Sequence, residues 1–340
     1  MLKKLCLFGV SLFSICFTAC NQQPNLAAPD VAVVSEIPNT LESDDIINEK
    51  SIVLEEKKDI DGFDFNSYLY RDDIISIEQV SLDKEGNNYC TAYRFRYRSD
   101  ECEVAGFISI PNECIEKKIP YPCMIYNRGG NRIYGSITKQ DEQTLAAYSY
   151  YYKHVVIASQ YRGGGGGSTG KDEFGGDDLN DVIKVIDIAE EMDFIDINNL
   201  YMIGGSRGGM MSYMAARKDN RIKQLIIISG IADLTSTYNE RIDMKGLLNE
   251  LIGGSPEELP KEYEARSAVC WADEIDVPVL IFHSKGDARV SYEQAQAMVN
   301  ALYEAGKDCT FITYDDDLHG SHNEDLEIIQ RWLNGEDVKQ

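Results

Sequence analysis

The sequence predicts an α/β fold in which a mostly parallel central sheet carries helices on both faces. Short apolar runs that suit strands buried on both faces recur from about residue 90 onward. Helical patterns separate these runs, and no internal repeat or second composition class breaks the alternation. A chain of 340 residues is long enough to bury a large core of this kind.

The strands are expected in chain order from these apolar runs. AYRFRYR and VAGFISI predict early antiparallel strands, and they are followed by YPCMIYN, HVVIAS, LYMIGG, IKQLIIIS, VPVLIFHS and CTFITYD. Helical periodicity predicts helices at 177–192, 207–218, 292–305 and 324–333. Residues 231–273 interrupt the alternation after the sixth predicted strand, and we expect an insertion there over the sheet edge that carries the active site.

The opening stretch MLKKLCLFGVSLFSICFTAC predicts a signal peptide. Two lysines precede an apolar run that is too short for a membrane span of about 20 residues. The ending Thr18-Ala19-Cys20 resembles a bacterial lipobox, so we expect export and a lipid anchor on Cys20 at a bacterial membrane, in the periplasm or at the cell surface. A freely secreted protein is the alternative. The predicted domains are a signal peptide at 1–19, an acidic flexible tether at 20–60 and a globular domain at 61–340.

The charge balance is strongly acidic, with 33 Lys plus Arg against 57 Asp plus Glu and a net charge of −24. Such a surface repels phosphate backbones and anionic lipids, so it disfavours nucleic acid as a partner. Neither Cys-x-x-Cys nor His-x-x-x-His spacing occurs, so the sequence predicts no metal site and no cofactor. The cysteines after Cys20 leave free thiols and disulfides equally open: Cys90, Cys102, Cys114, Cys123, Cys270 and Cys309.

A glycine-rich stretch, QYRGGGGGSTGKDEFGGDD, nearly completes a phosphate-binding loop. Gly165, Gly170 and Lys171 fit the pattern G-x-x-x-x-G-K-[ST], but Asp172 stands where a hydroxyl must hold magnesium. The residues that follow do not open the helix whose amides should complete the cradle. The sequence therefore disfavours a nucleotide site, and the glycines need another explanation.

The stretch YMIGGSRGGMMSYMAAR carries the main chemical signal. Ser206 is the serine of a G-x-S-x-G pattern that follows an apolar strand and precedes a helix, the context of a nucleophile elbow. Glycines two residues away on either side let the strand and helix pass a strained turn. The free amides at the helix N-terminus favour an oxyanion beside Ser206. The alternative is a glycine-rich turn with a surface serine.

A serine nucleophile needs a base, which in this fold should follow it in the chain. Of the four histidines, His154 and His283 open or lie within strands and are interpreted as structural. His319 follows the last predicted strand by a short loop and precedes a glycine, so we expect it to be the base. His322 is the second choice.

The orienting acid is expected from the strand before the base. Asp287, in IFHSKGDARV, follows that strand and would orient His319 and stabilise its imidazolium form. Asp315, Asp316 and Asp317 are interpreted as loop acids, because they lie too near His319 in the chain to face it.

From about Tyr93 to Leu333 the chain resembles the catalytic domain of the prolyl oligopeptidase family, within the α/β-hydrolase fold. The resemblance rests on GGSRGG around Ser206, HSKGDARV around Asp287 and DDDLHG around His319, in the family's order. SQYRGGGGGSTG resembles the family's Arg-Gly loop, which implies a loop beside the active site instead of a phosphate cradle. Full-length members usually carry a β-propeller before this domain, and the resemblance implies the catalytic domain without it.

The oxyanion donors are expected at two places. The main-chain N–H of Arg207 supplies one, and the stretch YNRGGNR supplies the other, where the family often has a tyrosine. Arg128 occupies the matching position, so its guanidinium or the main-chain amides of Gly129 and Gly130 are candidates. An ion pair with an acid is an equally good role for Arg128.

The resulting hypothesis is a serine hydrolase that acts through an acyl-enzyme, most favourably a serine peptidase on short peptides. A carboxylesterase or carbohydrate esterase acting on an acyl ester is the second candidate. A non-catalytic surface binding protein is the third. Tyr238 and Trp271, in the insertion, are guesses for the substrate pocket, whereas the tyrosine run AAYSYYYKHVV predicts packing. The sequence leaves the oligomeric state open.

Overall fold

The structure is a computed structural model that describes residues 64–338. The predicted signal peptide, the lipid anchor at Cys20 and the tether lie outside the described residues. Within residues 64–338, none of the helices combines the length and the apolar character that a membrane crossing requires.

The described residues form one mixed sheet of nine strands in the order β1-β2-β3-β5-β4-β6-β7-β8-β9. The strands β1 to β3 and the pair β3–β5 are antiparallel, and every later neighbour pair is parallel. The predicted fold class is therefore confirmed. The strands are β1 (Ile74–Val80), β2 (Cys90–Ser99), β3 (Cys102–Pro111), β4 (Tyr121–Asn127), β5 (Val155–Ser159), β6 (Ile195–Gly205), β7 (Ile222–Ile228), β8 (Val279–Ser284) and β9 (Cys309–Tyr314).

Helices connect these strands, and the four predicted helices are present with ends within two residues of expectation. The helices are α1 (Lys84–Tyr89), α2 (Asn112–Lys117), α3 (Lys139–Tyr152), α4 (Asp178–Glu190), α5 (Arg207–Lys218), α6 (Leu234–Glu240), α7 (Ile242–Ile252), α8 (Pro260–Ala265), α9 (Tyr292–Glu304) and α10 (Asp325–Leu333).

The sheet is buried on both faces because its parallel strands are apolar at successive positions. Along β7, Leu225 and Ile227 belong to a core cluster with α4, α5 and α9, whereas Ile226 and Ile228 belong to a second cluster with α3 and α10. Successive side chains of a strand point to opposite faces, so this alternation gives helices on both sides of the sheet.

The insertion follows the seventh strand, and the expectation that it follows the sixth is wrong by one strand. The additional strand is β1, an edge strand whose two end residues alone are buried. An edge strand with a mostly solvated pattern gives little periodic signal in the sequence. The insertion itself carries α6, α7 and α8 between β7 and β8.

The cysteines of the described residues carry free thiols. Of the two alternatives that the spacing left open, the structure therefore has the reduced one. Burial raises the pKa of the Cys90 and Cys309 thiols to about 11 and about 12, so they stay protonated at neutral pH.

Candidate active site

Ser206 lies on the turn between β6 and α5, and its backbone is strained. Its φ of 54° and ψ of −124° fall outside the regions that L-residues prefer. The turn is fixed by three main-chain hydrogen bonds. The N–H of Ser206 donates to the carbonyl of Ile228 (3.1 Å), and its carbonyl accepts from Gly209 (3.0 Å) and Ile231 (3.1 Å). The side chain of Ser206 is therefore presented at the carboxyl end of the sheet.

The two motif glycines allow the close approach that this turn requires. A Cβ at Gly208 would lie 1.9 Å from the carbonyl oxygen of Asn127, at the end of β4. A Cβ at Gly204 would lie 2.2 Å from the carbonyl oxygen of Gly208. Both contacts are with the main chain, so a side chain at either position would require the backbone to move.

The predicted acid and base are in direct contact. Nδ1 of His319 donates to Oδ2 of Asp287 at 2.7 Å, and Oδ1 of Asp287 accepts from the main-chain N–H groups of Arg289 (2.8 Å) and Val290 (3.2 Å). Burial alone would raise the pKa of Asp287, but the bond to His319 and the two amides hold it below its ordinary value. Because Nδ1 carries the proton, Nε2 of His319 is left as the basic nitrogen.

The loops that carry Asp287 and His319 are joined to each other and to the end of β7. The N–H of Gly286 donates to the carbonyl of Asp316 at 2.7 Å. The N–H of Gly320 donates to Oγ of Ser229 at 3.2 Å, directly after the strand that pairs with the end of β6. Ser206, Asp287 and His319 thus follow β6, β8 and β9 at the same edge of the sheet.

His283 is a neighbour of the acid that sequence reasoning interpreted only as structural. It is buried in β8, and its Nε2 lies 2.9 Å from the carbonyl of Val290 and 3.5 Å from Oδ2 of Asp287. The carbonyl can only accept, so Nε2 carries the proton. Burial lowers the pKa of His283, which keeps the ring neutral beneath Asp287. The signal in the sequence was its position four residues before the acid.

The other two histidines have other hydrogen-bond partners. Nε2 of His322 is 2.7 Å from Oδ2 of Asp316, and its ring stacks on Tyr314 with centroids 3.6 Å apart. His154 is buried, with Nδ1 2.7 Å from the carbonyl of Tyr152. The geometry therefore favours His319 over His322 as the partner of the acid.

The loop after β4 carries the glycines expected as oxyanion donors. Gly130 has a φ of 70°, and a Cβ there would lie 2.2 Å from the carbonyl oxygen of Tyr134. The N–H of Arg207 begins α5, where a helix leaves its first amides without an intrahelical partner. Gly130 is tied to this helix because its carbonyl accepts from Nη1 of Arg207 at 3.1 Å.

The guanidinium of Arg128 is neither an oxyanion donor nor part of an ion pair, which are the two roles expected from the sequence. Its guanidinium is buried, and all five N–H groups are used on main-chain carbonyls. Nε and Nη2 donate to Gln160 (2.9 and 2.7 Å), Nη1 donates to Gly129 (3.0 Å) and Tyr134 (3.3 Å), and Nη2 also donates to Arg132 (2.9 Å). No N–H remains for an oxyanion or an ion pair, so Arg128 shapes the loop from within.

The two aromatic residues expected in the substrate pocket, Tyr238 and Trp271, are both buried. Tyr238 is 7% exposed and meets Tyr263 edge-on with centroids 5.7 Å apart. Trp271 is 4% exposed, and its ring lies 4.8 Å from the guanidinium of Arg217, at the end of α5 opposite Ser206.

The glycine-rich stretch contacts the residue after Ser206 through the carboxylate of Asp172. Oδ2 of Asp172 accepts from Nη1 of Arg207 at 2.8 Å and from the N–H of Arg132 at 2.5 Å, while Oδ1 accepts from Phe174 at 2.9 Å. Burial alone would raise the pKa of Asp172, but the charge and hydrogen bond of Arg207 keep it below its ordinary value. In residues 64–338 no cluster of three or more His, Cys, Asp or Glu side chains could hold a metal ion.

Comparison with known proteins finds a matching family model and several similar proteins. The model of the prolyl oligopeptidase family matches residues 143–334, more than half of the chain. An uncharacterised peptidase, YtmA, of Bacillus subtilis is 27% identical over 216 residues, which are 63% of this chain and 80% of that protein. The acylaminoacyl peptidase of Pyrococcus horikoshii superposes with a TM-score of 0.62 at 20% identity, over 72% of this chain and 42% of that chain.

The chain is also similar to an esterase. The acetyl xylan esterase from Paenibacillus sp. R4 superposes with a TM-score of 0.60 at 16% identity, over 77% of this chain and 88% of that chain. The chain thus spans less than half of the solved acylaminoacyl peptidase but most of this esterase. At these identities the solved structures support the α/β-hydrolase fold alone.

Proposed function

Because the chain belongs to the prolyl oligopeptidase family and is a serine hydrolase, we propose that Ser206, His319 and Asp287 form its catalytic triad and that it cleaves short peptides. The observation that carries the proposal is the 2.7 Å bond between His319 and Asp287, on loops that follow β9 and β8 at the edge where the strained Ser206 turn follows β6. This is the set of roles that an activated serine nucleophile requires.

In the proposed mechanism, Oγ of Ser206 attacks the substrate carbonyl as Nε2 of His319 takes its proton. Asp287 holds the imidazole in the productive tautomer and stabilises its charged form. The oxyanion of the tetrahedral intermediate accepts hydrogen bonds from the N–H of Arg207 and from an N–H of Gly129 or Gly130. The leaving amine takes the proton from His319, and water then attacks the acyl-enzyme with the same base to release the acid and restore Ser206.

A peptide substrate is supported by the family and by the similarity to the Bacillus subtilis peptidase. An acyl ester is the second candidate, and the observation that favours it is the share of the Paenibacillus acetyl xylan esterase that the chain covers, 88%. That esterase has a different leaving group, an alcohol, but the same acyl-transfer steps would serve both substrates.

The deciding experiment compares two substrates with one purified protein. Turnover of a proline-containing dipeptide anilide is measured beside turnover of a short acyl nitrophenyl ester, with Ser206→Ala as the control. Cleavage of both substrates, lost in Ser206→Ala, supports the peptidase. Cleavage of the ester alone contradicts the peptide assignment and favours the esterase. If a fluorophosphonate labels Ser206→Ala as well as the wild type, Ser206 is not the nucleophile.

We also propose that the protein is exported and lipid-anchored through Cys20, which lies outside the described residues. The support is the lysine-rich start, the short apolar run and the small residues before Cys20. Growth with an alkyne fatty acid should label the wild-type protein and leave Cys20→Ser unlabelled. Equal labelling of the two proteins would contradict the anchor.

A further inference from the structure

The side chain of Arg207, which follows the nucleophile directly, is buried in a charged cluster. Its guanidinium is 1% exposed and lies between the rings of Phe174 (4.7 Å) and Tyr161 (5.2 Å). It forms ion pairs with Asp172 at 2.8 Å and with Asp178. A charge this deeply buried is tolerated only because it is paired and hydrogen-bonded.

These contacts join the two sides of the proposed oxyanion hole. Nη1 of Arg207 donates to the carbonyl of Gly130 at 3.1 Å and to Asp172 at 2.8 Å. Asp172 in turn accepts from the N–H of Arg132, two residues beyond Gly130. The loop that carries Gly129 and Gly130 is therefore held to α5 both directly and through Asp172.

The arrangement is kept at some cost to the fold. Nε of Arg207 is buried and has no hydrogen-bond partner among residues 64–338. A buried N–H without a partner is destabilising, and its presence calls for a compensating role. That role is consistent with the fork of the guanidinium, whose two terminal nitrogens reach Gly130, Asp172 and Asp178 at once.

We propose that the Arg207 side chain is a positioning residue that sets the distance between the two donors of the oxyanion hole. Its main-chain N–H lies on the helix side, and its guanidinium holds the opposite loop in place by way of Gly130 and Asp172. The inference rests on the proposed function, since it requires an oxyanion beside Ser206. Preorganised donors stabilise the transition state without reorganising during the reaction.

The chain offers a matched control in a second buried arginine. Arg162 stands at the start of the same glycine-rich loop. Its Nη2 forms ion pairs with Asp181 at 2.8 Å and with Asp100 at 2.7 Å. Its partners lie on α4 and on the turn between β2 and β3, so it does not connect the loop to the elbow. The same substitution at Arg162 and Arg207 therefore separates general stability from positioning.

The test measures the rate of phosphonylation of Ser206 by a fluorophosphonate, which does not require the natural substrate. Arg207→Lys keeps the charge but not the forked geometry of the guanidinium. Because the donors are displaced and not removed, we expect a rate about 30-fold below wild type, a smaller loss than the ~10²–10³-fold that follows removal of a donor. With an acyl nitrophenyl ester, kcat should fall by a similar factor and KM should change little. Arg162→Lys should lower the melting temperature similarly and leave the rate within about threefold of wild type.

Two results would overturn the inference. One is an Arg207→Lys protein that is phosphonylated within about threefold of the wild-type rate, and the other is an equal loss in Arg162→Lys. If Arg207→Lys does not fold, the isosteric Asp172→Asn removes one of the two carboxylate charges paired with Arg207. Its phosphonylation is expected to be about tenfold slower than that of the wild type, and an unchanged rate refutes the role.

The outcome is distinguishable from failure of the proposed function. If the wild type is not labelled, or if Ser206→Ala is labelled equally, the serine assignment itself fails. If Ser206 is labelled and the rate does not depend on Arg207, the hydrolase remains and only the positioning role is lost.

Discussion

The substitution Asp287→Asn separates the proposed triad from a merely structural hydrogen bond. In the structure Oδ1 of Asp287 accepts from the amides of Arg289 and Val290, while Oδ2 accepts from Nδ1 of His319. An asparagine must keep its oxygen toward the two amides, because they can only donate. Its NH₂ group then faces Nδ1 of His319, which must give up its proton and become an acceptor.

The expected loss follows from this change of tautomer. With Nδ1 unprotonated, Nε2 of His319 carries the proton and cannot accept one from Ser206. Substitutions of this type lower kcat by about 10⁴-fold, which corresponds to about 5.5 kcal/mol of transition-state stabilisation. KM should change little, since Asp287 is buried behind His319 and does not reach the substrate.

The assay is turnover of an acyl nitrophenyl ester, with Asp316→Asn as the matched control. Asp316 lies on the same loop as His319, and its Oδ2 is 2.7 Å from Nε2 of His322, so it makes the equivalent pair with the second-choice base. The side chain of Asp316 is more exposed than that of Asp287, so Asp316→Asn should change kcat by less than about tenfold. Near-normal activity of Asp287→Asn would refute the triad, and a comparable loss in Asp316→Asn would shift the base to His322.

Two further predictions concern stability, each measured by urea unfolding. Gly208→Ala places a Cβ 1.9 Å from the carbonyl oxygen of Asn127 and should lower the free energy of unfolding by about 3 kcal/mol. The control is Gly246→Ala in α7, where a Cβ would meet nothing within 4 Å, and it should raise the free energy of unfolding by up to about 1 kcal/mol. Equal stability of the two variants would contradict the close approach at Gly208. Burial raises the pKa of Asp325 to about 6, above its value in the unfolded chain. The contribution of Asp325 to the free energy of unfolding is therefore fully present below about pH 4 and is lost as the pH rises through about 6. From pH 4 to pH 8 the free energy of unfolding of Asp325→Asn should therefore rise by up to about 3 kcal/mol relative to that of the wild type. Parallel plots of this free energy against pH for the two proteins would contradict the raised pKa of Asp325.

The parts of the molecule that the sequence predicted are those fixed by local pattern. The strand β6, the turn at Ser206 and the helix α5 follow one another within a single stretch, and their glycines, apolar residues and order determine each other. The pairing of Asp287 with His319 followed from chain order, because acids and bases after parallel strands meet at one edge of the sheet. The edge strand β1 was missed because most of its side chains are solvated.

The parts that were not predicted depend on distant partners. Whether the guanidinium of Arg128 is available to a substrate depends on the carbonyl of Gln160, which lies 32 residues later in the chain and accepts from both Nε and Nη2. The place of Trp271 is decided by Arg217, which lies in another element. The role of a long or large side chain therefore emerges only when the tertiary contacts that satisfy it are known.

Asp172 connects the broken motif in the sequence to the site in the structure. It makes a nucleotide loop unfavourable because a carboxylate replaces the hydroxyl that the pattern requires. In the structure that carboxylate binds Arg207, beside the proposed nucleophile, and the amide of Arg132, in the loop of the proposed oxyanion hole. A hydroxyl at this position would leave the buried charge of Arg207 with Asp178 alone and weaken the tie to the loop. The glycines before Asp172 let the chain turn tightly enough to bring its carboxylate to Arg207. The residue that makes a nucleotide site unfavourable in the sequence therefore links the glycine-rich loop to the turn at Ser206 in the structure.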